Sequence, residues 1–233
     1  MKRTPGAKAD RHKNDAYYTP IWCIDALMSH LKAKSGDIFS EPAMGDGRVF
    51  DRFPTGHEKK WAEISAHRDY LNPKGVDLSA DIIVTNPPFS HAMEFIRTAI
   101  DRDLNENGTV CMLLRMSMLG SKERADFWRK FPVTNLFTLT PRPQFVHGGS
   151  DNSEYAWFVW DYGNRFDLPA LWSFKREEHD AEYAEKLREK QLSKIRNQIR
   201  MELKAKRPEL TNREINKLVE HQIQKLTATD KAA

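Results

Sequence analysis

The sequence predicts an α/β fold, with a mostly parallel sheet, an antiparallel last strand and a C-terminal helical hairpin. Short runs rich in Val, Ile, Leu, Phe and Trp alternate with helix-like segments, which implies right-handed crossovers and a sheet covered on both faces. The last two runs are joined by residues rich in Pro and Gly without a helical pattern, as in an antiparallel pair. After Pro169 the composition changes to long helical segments.

Strands and helices of the body follow from these runs. Strands are predicted at residues 37–42, 58–64, 81–85, 109–115, 134–139 and 155–161, and helices at 21–33, 91–102 and 121–130. A further short strand is possible in KGVDLS, residues 74–79. Parallel strands place their carboxyl ends at one edge of the sheet, where a ligand crevice forms.

The C-terminal region predicts two amphipathic helices. The first covers residues 177–206 and ends before Pro208, and a Thr211–Glu214 capping box opens the second. Their apolar stripes are Leu187, Leu192, Ile195, Ile199 and Leu203, then Ile215, Leu218, Ile223 and Leu226. The chain therefore divides into a basic N-terminal arm (1–16), a body (17–174) and a basic helical extension (175–233). The extension is a lid, a dimer handle or a nucleic-acid-binding arm.

Composition and charge narrow the class of protein. The 233 residues carry a net charge of +4, and both ends are basic around a mildly acidic middle, which favours a polyanionic partner or simply reflects solvated termini. No apolar run approaches the ~20 residues needed to span a bilayer, so we expect no membrane and a cytoplasmic location. Cys23 and Cys111 are too isolated for a zinc site or a disulfide framework, and we expect no metal.

Polar residues follow several predicted strands. After the first comes a loop in which Gly45 and Gly47 allow a tight turn and close approach of a ligand. Glu63 follows the second strand, about 20 residues beyond the glycines, a separation at which a carboxylate can bind both hydroxyls of a ribose. Asp77 closes the possible short strand, and Asn86-Pro87-Pro88-Phe89 closes the next one. The sequence therefore predicts a nucleoside site.

In this order, Tyr17-Tyr18-Thr19-Pro20, EPAMGDG, Glu63, Asp77 and NPPF resemble the motifs of class I S-adenosylmethionine-dependent methyltransferases. The closer similarity is to the enzymes that methylate the exocyclic amine of adenine in DNA. The resemblance covers residues 17 to about 161. It implies a Rossmann-like fold, S-adenosylmethionine as cofactor, and DNA as partner with the target base flipped out of the duplex.

The resemblance also implies roles for individual residues. Tyr18, Thr19 and Pro20 would line the methionine end of the cofactor, and Glu63 and Asp77 would hold its ribose and adenine. The loop residues beside its amino acid and sulfonium region would be Glu41, Pro42, Ala43, Gly45 and Gly47.

Asn86-Pro87-Pro88-Phe89 suits chemistry on a conjugated amine, whose lone pair is delocalised into the ring. If the Asn86 side-chain oxygen and the Pro87 carbonyl each accept one amine hydrogen, the nitrogen becomes tetrahedral and its lone pair becomes available. The prolines fix the backbone, and Phe89 offers a face on which a base can stack. Transfer of the methyl group then requires no metal and no covalent enzyme intermediate. Alternatively, the prolines only terminate the strand.

A second candidate surface is the loop of residues 141–150, in which Arg142, Phe145 and His147 suit contact with phosphates and bases. A mobile surface turn is the alternative. His91 is interpreted as a surface residue at a helix start and left out of the site.

The substrate stays open between adenine in DNA, an RNA base amine and a protein glutamine, and a non-catalytic nucleic-acid-binding protein on the same fold is the alternative from another class. Since the sheet fills the chain to about residue 165, no separate recognition domain is expected, and specificity should be short or relaxed. The chain is a monomer or a homodimer through the C-terminal helices. A restriction companion, a solitary regulator and phage self-protection are all compatible purposes.

Overall fold

The computed structural model describes residues 18–72, 74–145 and 153–229. They divide into two compact units, the first extending to His179 and the second beginning at Asp180. No helix in these ranges is both long enough and apolar enough to cross a membrane.

The first unit is built on a seven-stranded sheet. Its strands are β1 (Ile38–Glu41), β2 (Glu58–Trp61), β3 (Ala80–Thr85), β4 (Leu104–Arg115), β5 (Asn135–Thr140), β6 (Tyr155–Asp161) and β7 (Leu171–Lys175). Their order is β2-β1-β3-β4-β6-β5-β7. Strands β1 to β4 run parallel, β6 is antiparallel to both β4 and β5, and β7 is parallel to β5. The predicted fold class, including the antiparallel strand at 155–161, is confirmed.

Two features of the sheet differ from the prediction. The short strand expected in residues 74–79 does not form, because the Asp77 side chain accepts hydrogen bonds from the Ser79 backbone (3.0 Å) and hydroxyl (2.6 Å). Such a local turn competes with strand pairing. Strand β7 was missed because Leu171 and Trp172 are exposed and its burial pattern does not alternate.

Helices cover both faces of the sheet. They are α1 (Ile21–Met28), α2 (Ala92–Thr98), which continues into a π-helical turn at Ala99–Asp103, α3 (Ala125–Lys130) and α4 (Arg176–His179). Alternate residues of β3 enter opposite cores: Ile82 and Val84 pack in the cluster that contains α1, and Ile83 packs in the one that contains α2 and α3. This double burial explains why the strand reads as a continuous apolar run.

A buried ion pair ties the start of β1 to the segment after β6. Arg165 donates two hydrogen bonds to the Asp37 carboxylate, at 2.6 and 2.8 Å, and both residues are buried. The bidentate geometry satisfies both carboxylate oxygens, as an interior charge requires.

The second unit is a helical hairpin of α5 (Ala181–Lys206) and α6 (Asn212–Thr229). The capping box is confirmed, since the Thr211 backbone N–H donates to Glu214 at 2.9 Å and the Glu214 N–H donates to the Thr211 hydroxyl at 3.4 Å. The single helix predicted from residue 177 is instead interrupted at Asp180, whose side chain caps α5 by accepting from Tyr183 N–H. Apolar residues pack between the helices: Ile215, Val219, Ile223, Leu192, Ile199, Leu203 and Leu210.

Candidate active site

A cavity of about 510 Å³ lies at the carboxyl ends of β1, β2 and β3. This is the edge at which open parallel sheets bind ligands. Its walls include most of the residues predicted for the site: Tyr18, Thr19, Glu41, Pro42, Ala43, Gly45, Glu63, Asn86, Pro87, Pro88 and Phe89.

The glycine loop after β1 is hydrogen-bonded to Glu63. Gly45 has a φ of +56° and Gly47 a φ of +85°, in the left-handed region that favours glycine. The Gly45 N–H donates to Glu63 Oε2 at 2.9 Å, while the Gly47 N–H closes a turn onto the Met44 carbonyl. Gly47 therefore shapes the loop without lining the cavity.

Glu63 is held as a carboxylate. Its Oε1 accepts from the Ser65 backbone N–H at 3.1 Å and from the Ser65 hydroxyl at 2.8 Å. Partial burial would raise its pKa, but these bonds and the one from Gly45 hold the pKa below the ordinary value. With two donors on Oε1 and one on Oε2, the Glu63 carboxylate keeps an acceptor position on Oε2 for a hydroxyl group of a ligand.

Glu41 is the opposite case. It is 2 % exposed, and among the described residues its Oε2 has no hydrogen-bond partner. Burial raises its pKa to about 9, with the charges of Asp46, Asp51 and Glu63 adding to the shift. The cavity wall therefore holds a neutral carboxyl that a bound cation would ionise.

The charge of the lining favours a cationic ligand. Carboxylates of Asp46 and Asp69 join that of Glu63 around the cavity, beside the neutral carboxyl of Glu41. Arg48 also lines it but is paired with Asp46 at 2.7 Å. A ligand that carries positive charge would therefore be attracted.

Asn86 is oriented by Thr19. The Asn86 Nδ2 donates to the Thr19 hydroxyl at 3.1 Å, which places the amide oxygen at the other end of the side chain. Tyr18 lies next to Arg48, whose guanidinium carbon is 5.4 Å from the ring centre. Pro20 precedes α1 as its N-cap and does not line the cavity.

An aromatic stack continues from Phe89. The rings of Phe89 and Tyr155 are 5.6 Å apart, and those of Tyr155 and Phe145 are 4.7 Å apart. Arg115, the partner of Tyr155 across β4 and β6, lies 4.6 Å from the Phe89 ring centre and donates from Nε to the Tyr155 hydroxyl at 3.1 Å. The stack connects the Asn-Pro-Pro-Phe segment to the predicted 141–150 loop.

That loop is described in part. Arg142 is exposed and forms an ion pair with Glu154 at 3.5 Å, and Phe145 joins the stack. His147 lies outside the described residues. Neither Arg142 nor Phe145 lines the cavity, so their assignment to nucleic-acid binding stays a prediction.

Asp77 does not line the cavity either. It precedes the amino end of β3, whereas Asn86 follows the carboxyl end, and its side chain bonds to Lys60 and Ser79. Asp69, Tyr70 and Leu71 line the cavity instead. The sequence could have identified this segment as part of the site, because it lies between Glu63 and β3 and follows the carboxyl end of β2.

Other lining residues were also missed by the sequence analysis, among them Arg48, His91 and Phe95. His91 was set aside as a surface residue, and it is exposed but borders the cavity. No cluster of three or more His, Cys, Asp or Glu suited to a metal occurs in the described part of the chain.

Comparison with solved structures shows the fold. A protein from Listeria monocytogenes assigned to the class I S-adenosylmethionine-dependent methyltransferases matches with a TM-score of 0.51 and 13% identity, over 73% of this chain and 68% of that one. The M protein of the type I restriction enzyme EcoKI and a type I modification subunit from Vibrio vulnificus match with TM-scores of 0.47 and 15% identity each. The alignment with the EcoKI protein covers 70% of this chain and 49% of that one, and the alignment with the Vibrio vulnificus subunit covers 69% and 47%.

No family model and no curated protein matches the sequence. The chain thus has the Rossmann-like fold of the class I methyltransferases, and at these identities the similarity extends to the fold alone.

Proposed function

We propose that this chain is an S-adenosylmethionine-dependent methyltransferase that acts on the exocyclic amine of adenine in DNA, with short or relaxed sequence specificity. One observation carries the proposal: Asn86-Pro87-Pro88-Phe89 lines the same cavity as the Gly45 loop and Glu63. A nucleoside site and a group suited to a conjugated amine therefore open into one space.

The lining residues fit the cofactor. Glu63 would accept a hydrogen bond from a ribose hydroxyl, and Asp69, which lines the cavity where Asp77 does not, would face the nucleobase. The buried Glu41 carboxyl, together with Thr19, would face the cationic methionine portion. When bound, the cofactor supplies an electrophilic methyl group on a sulfonium.

Asn86 would act on the target amine. Its amide oxygen accepts one amine hydrogen, and the Pro87 carbonyl accepts the other, so the nitrogen lone pair is freed from the ring. The bond from Asn86 to Thr19 fixes the amide against rotation before the substrate arrives, which lowers the entropic cost of reaching the reactive geometry. No residue needs to form a covalent bond with the substrate, and the proton of the methylated amine leaves to water.

Phe89 and its stack would hold the base. An adenine inside a duplex cannot reach the cavity, so it must leave the helix, and stacking on an aromatic face offsets part of that cost with about 1 to 3 kcal/mol per base. The segment with Arg142, Phe145 and His147 would contact the nucleic acid next to the flipped base. The catalytic body would comprise residues 17–174.

The direct test is transfer of a labelled methyl group from S-adenosylmethionine to four acceptors in parallel: duplex DNA, single-stranded DNA, RNA and protein. We expect label in DNA, recovered as N6-methyladenine after hydrolysis to nucleosides. Label in an RNA base or in a protein glutamine would show that the chain transfers methyl groups but acts on a different substrate. Calorimetric titration that shows no cofactor binding would reject the enzyme in favour of a non-catalytic scaffold.

A further inference from the structure

The hairpin of α5 and α6 uses only one side of α5. No residue of α5 is fully buried, and its apolar contacts with α6 come from Leu192, Ile199 and Leu203. Most of the remaining circumference of this 26-residue helix is exposed to solvent.

This exposed side becomes strongly basic in the second part of α5. Between Lys190 and Arg207 the sequence has seven basic residues and one acidic residue, Glu202. Lys190, Lys194 and Lys204 are exposed. The one carboxylate of this stretch accepts a hydrogen bond from Gln198.

Few of these cations are neutralised within the protein. Arg196 pairs with Glu220 of α6 at 3.1 Å, and Arg207 pairs with Glu209 at 3.7 Å. No ion pair of residues 180–229 that the structure describes engages Lys190, Lys194 or Lys204. Among the described residues, these three lysines of one helix therefore have no acidic partner.

The spacing of the basic residues opposes helix stability. Lys190 and Lys194, and Arg200 and Lys204, are four residues apart, and like charges at that spacing repel each other on a helix. The helix dipole can favour only the cations in the last turn, which excludes Lys190 and Lys194. A polyanion alongside the helix would remove the repulsion.

We propose that the face of α5 carrying Lys190, Lys194 and Lys204 binds the sugar-phosphate backbone of duplex DNA, independently of sequence. Lys190 and Lys204 are separated by about 21 Å along the helix at a rise of 1.5 Å per residue. A straight row of that length spans several phosphates of a duplex, which carries one charge per about 1.7 Å of its axis. The inference rests on the proposed function, since it takes DNA as the substrate.

The test compares two triple variants of the full chain with the same loss of charge. Lys190→Gln/Lys194→Gln/Lys204→Gln removes the proposed face, and Arg213→Gln/Lys217→Gln/Lys225→Gln removes three exposed cations of α6. Circular dichroism verifies that both variants keep the helical signal of the parent. Fluorescence anisotropy with a labelled duplex then gives the dissociation constant as a function of salt, without cofactor or turnover.

We expect the α5 variant to reduce the slope of log K against log salt by about 3, at about 0.9 for each phosphate contact, with the α6 variant close to the parent. Equal slopes for the two variants, or an α5 variant that matches the parent, would overturn the inference. Stronger salt-dependent binding of duplex RNA through the same lysines would overturn the assignment to DNA. Because the cofactor is absent from this assay, its outcome is independent of whether methyl transfer occurs.

Discussion

The side-chain amide of Asn86 donates a hydrogen bond to the hydroxyl of Thr19, 3.1 Å away and 67 positions earlier in the sequence. Thr19 is buried two residues before the start of α1, and Asn86 follows β3. The bond joins two segments of the cavity wall and fixes the orientation of the Asn86 side-chain amide.

Asn86→Ala is expected to lower turnover at least about 100-fold, the scale of losing one pre-placed polar group at a reacting atom. The dissociation constant for S-adenosylmethionine should stay nearly unchanged, because the other cavity walls are intact. Single-turnover methyl transfer and calorimetry measure the two quantities separately.

Thr19 provides the matched comparison. Thr19→Val keeps the shape but removes the acceptor, so turnover should fall about 5- to 10-fold, the value of one hydrogen bond of about 1 kcal/mol. Thr19→Ser should retain the parent rate. If Asn86→Ala turns over normally, the amide is not the group that binds the amine.

Glu41→Gln is expected to stabilise the cofactor-free protein, and more so as pH rises. Burial raises the pKa of folded Glu41 to about 9 from an ordinary 4.5. Between these values the unfolded chain has lost a proton that the folded chain keeps, so folding stability falls with rising pH, by up to about 1.4 kcal/mol per pH unit. Gln does not titrate, and urea denaturation at pH 5, 7 and 8.5 should show a flatter dependence for the variant.

The same variant should bind S-adenosylmethionine more weakly. The parent should release a proton on binding, which calorimetry detects in buffers of different ionisation enthalpy, and Glu41→Gln should release none from this position. Identical pH dependence of stability in the two proteins would show that Glu41 is already ionised.

Asp69→Ala and Asp77→Ala separate two assignments of the nucleobase end. Asp69 lines the cavity and Asp77 does not, so Asp69→Ala should weaken binding of S-adenosylmethionine about 10-fold, as expected for a hydrogen bond to a charged group. Asp77→Ala should leave binding within about 2-fold, since its exposed side chain contributes only surface pairs. The reverse ranking in calorimetry would restore Asp77 as the ligand.

Arg115→Met should impair base flipping. Methionine can still cover Phe89, but it lacks the charge over the ring and the bond to the Tyr155 hydroxyl, which together are worth about 1 to 2 kcal/mol. With 2-aminopurine at the target position, the fluorescence gained on binding should fall, and the KM for DNA should rise about 10-fold. Arg129→Met, at an exposed pair with Asp126, is the control. Unchanged fluorescence would show that Arg115 does not help to hold the target base.

Arg165→Met should destabilise the fold by about 3 to 5 kcal/mol, because it leaves the buried Asp37 carboxylate without its partner. Burial alone would raise the pKa of Asp37, but hydrogen bonds from Arg165 and the Lys34 backbone lower it below 3.8. The pair therefore stabilises the parent above that pH and is lost as pH falls through the folded value. Urea denaturation measures the effect, and Arg129→Met should cost less than about 1 kcal/mol. An equal cost for both variants would contradict the role of the buried pair.

Sequence patterns predicted the sheet well where both faces of a strand are buried. Residues 155–161 and strand β3 were found because continuous apolar runs mark burial of both faces. Strand β7 was missed because exposed Leu171 and Trp172 give no periodic signal. The break at Asp180 was missed because the sequence alone does not distinguish an Asp that caps a helix from an Asp inside one.

The site was predictable where residues directly follow a strand, as with Asn86 and Glu63. Asp77 shows the limit of that reasoning. In the sequence, a turn stabilised by Ser79 resembles a short strand, and only the three-dimensional structure shows that no strand ends at Asp77. Arg115 could not be assigned, because its contact with Phe89 depends on the pairing of β4 with β6.

The position of β6 between β4 and β5 affects biosynthesis. When the ribosome has completed β4, the four parallel strands are present but one margin of β4 has no neighbour until residues 155–161 emerge. Unpaired strand edges promote aggregation. The nascent chain is therefore prone to aggregate between the synthesis of β4 and that of β6. Tyr155 arrives with the strand that ends this interval, and the wall behind Phe89 is therefore among the last parts of the sheet to form.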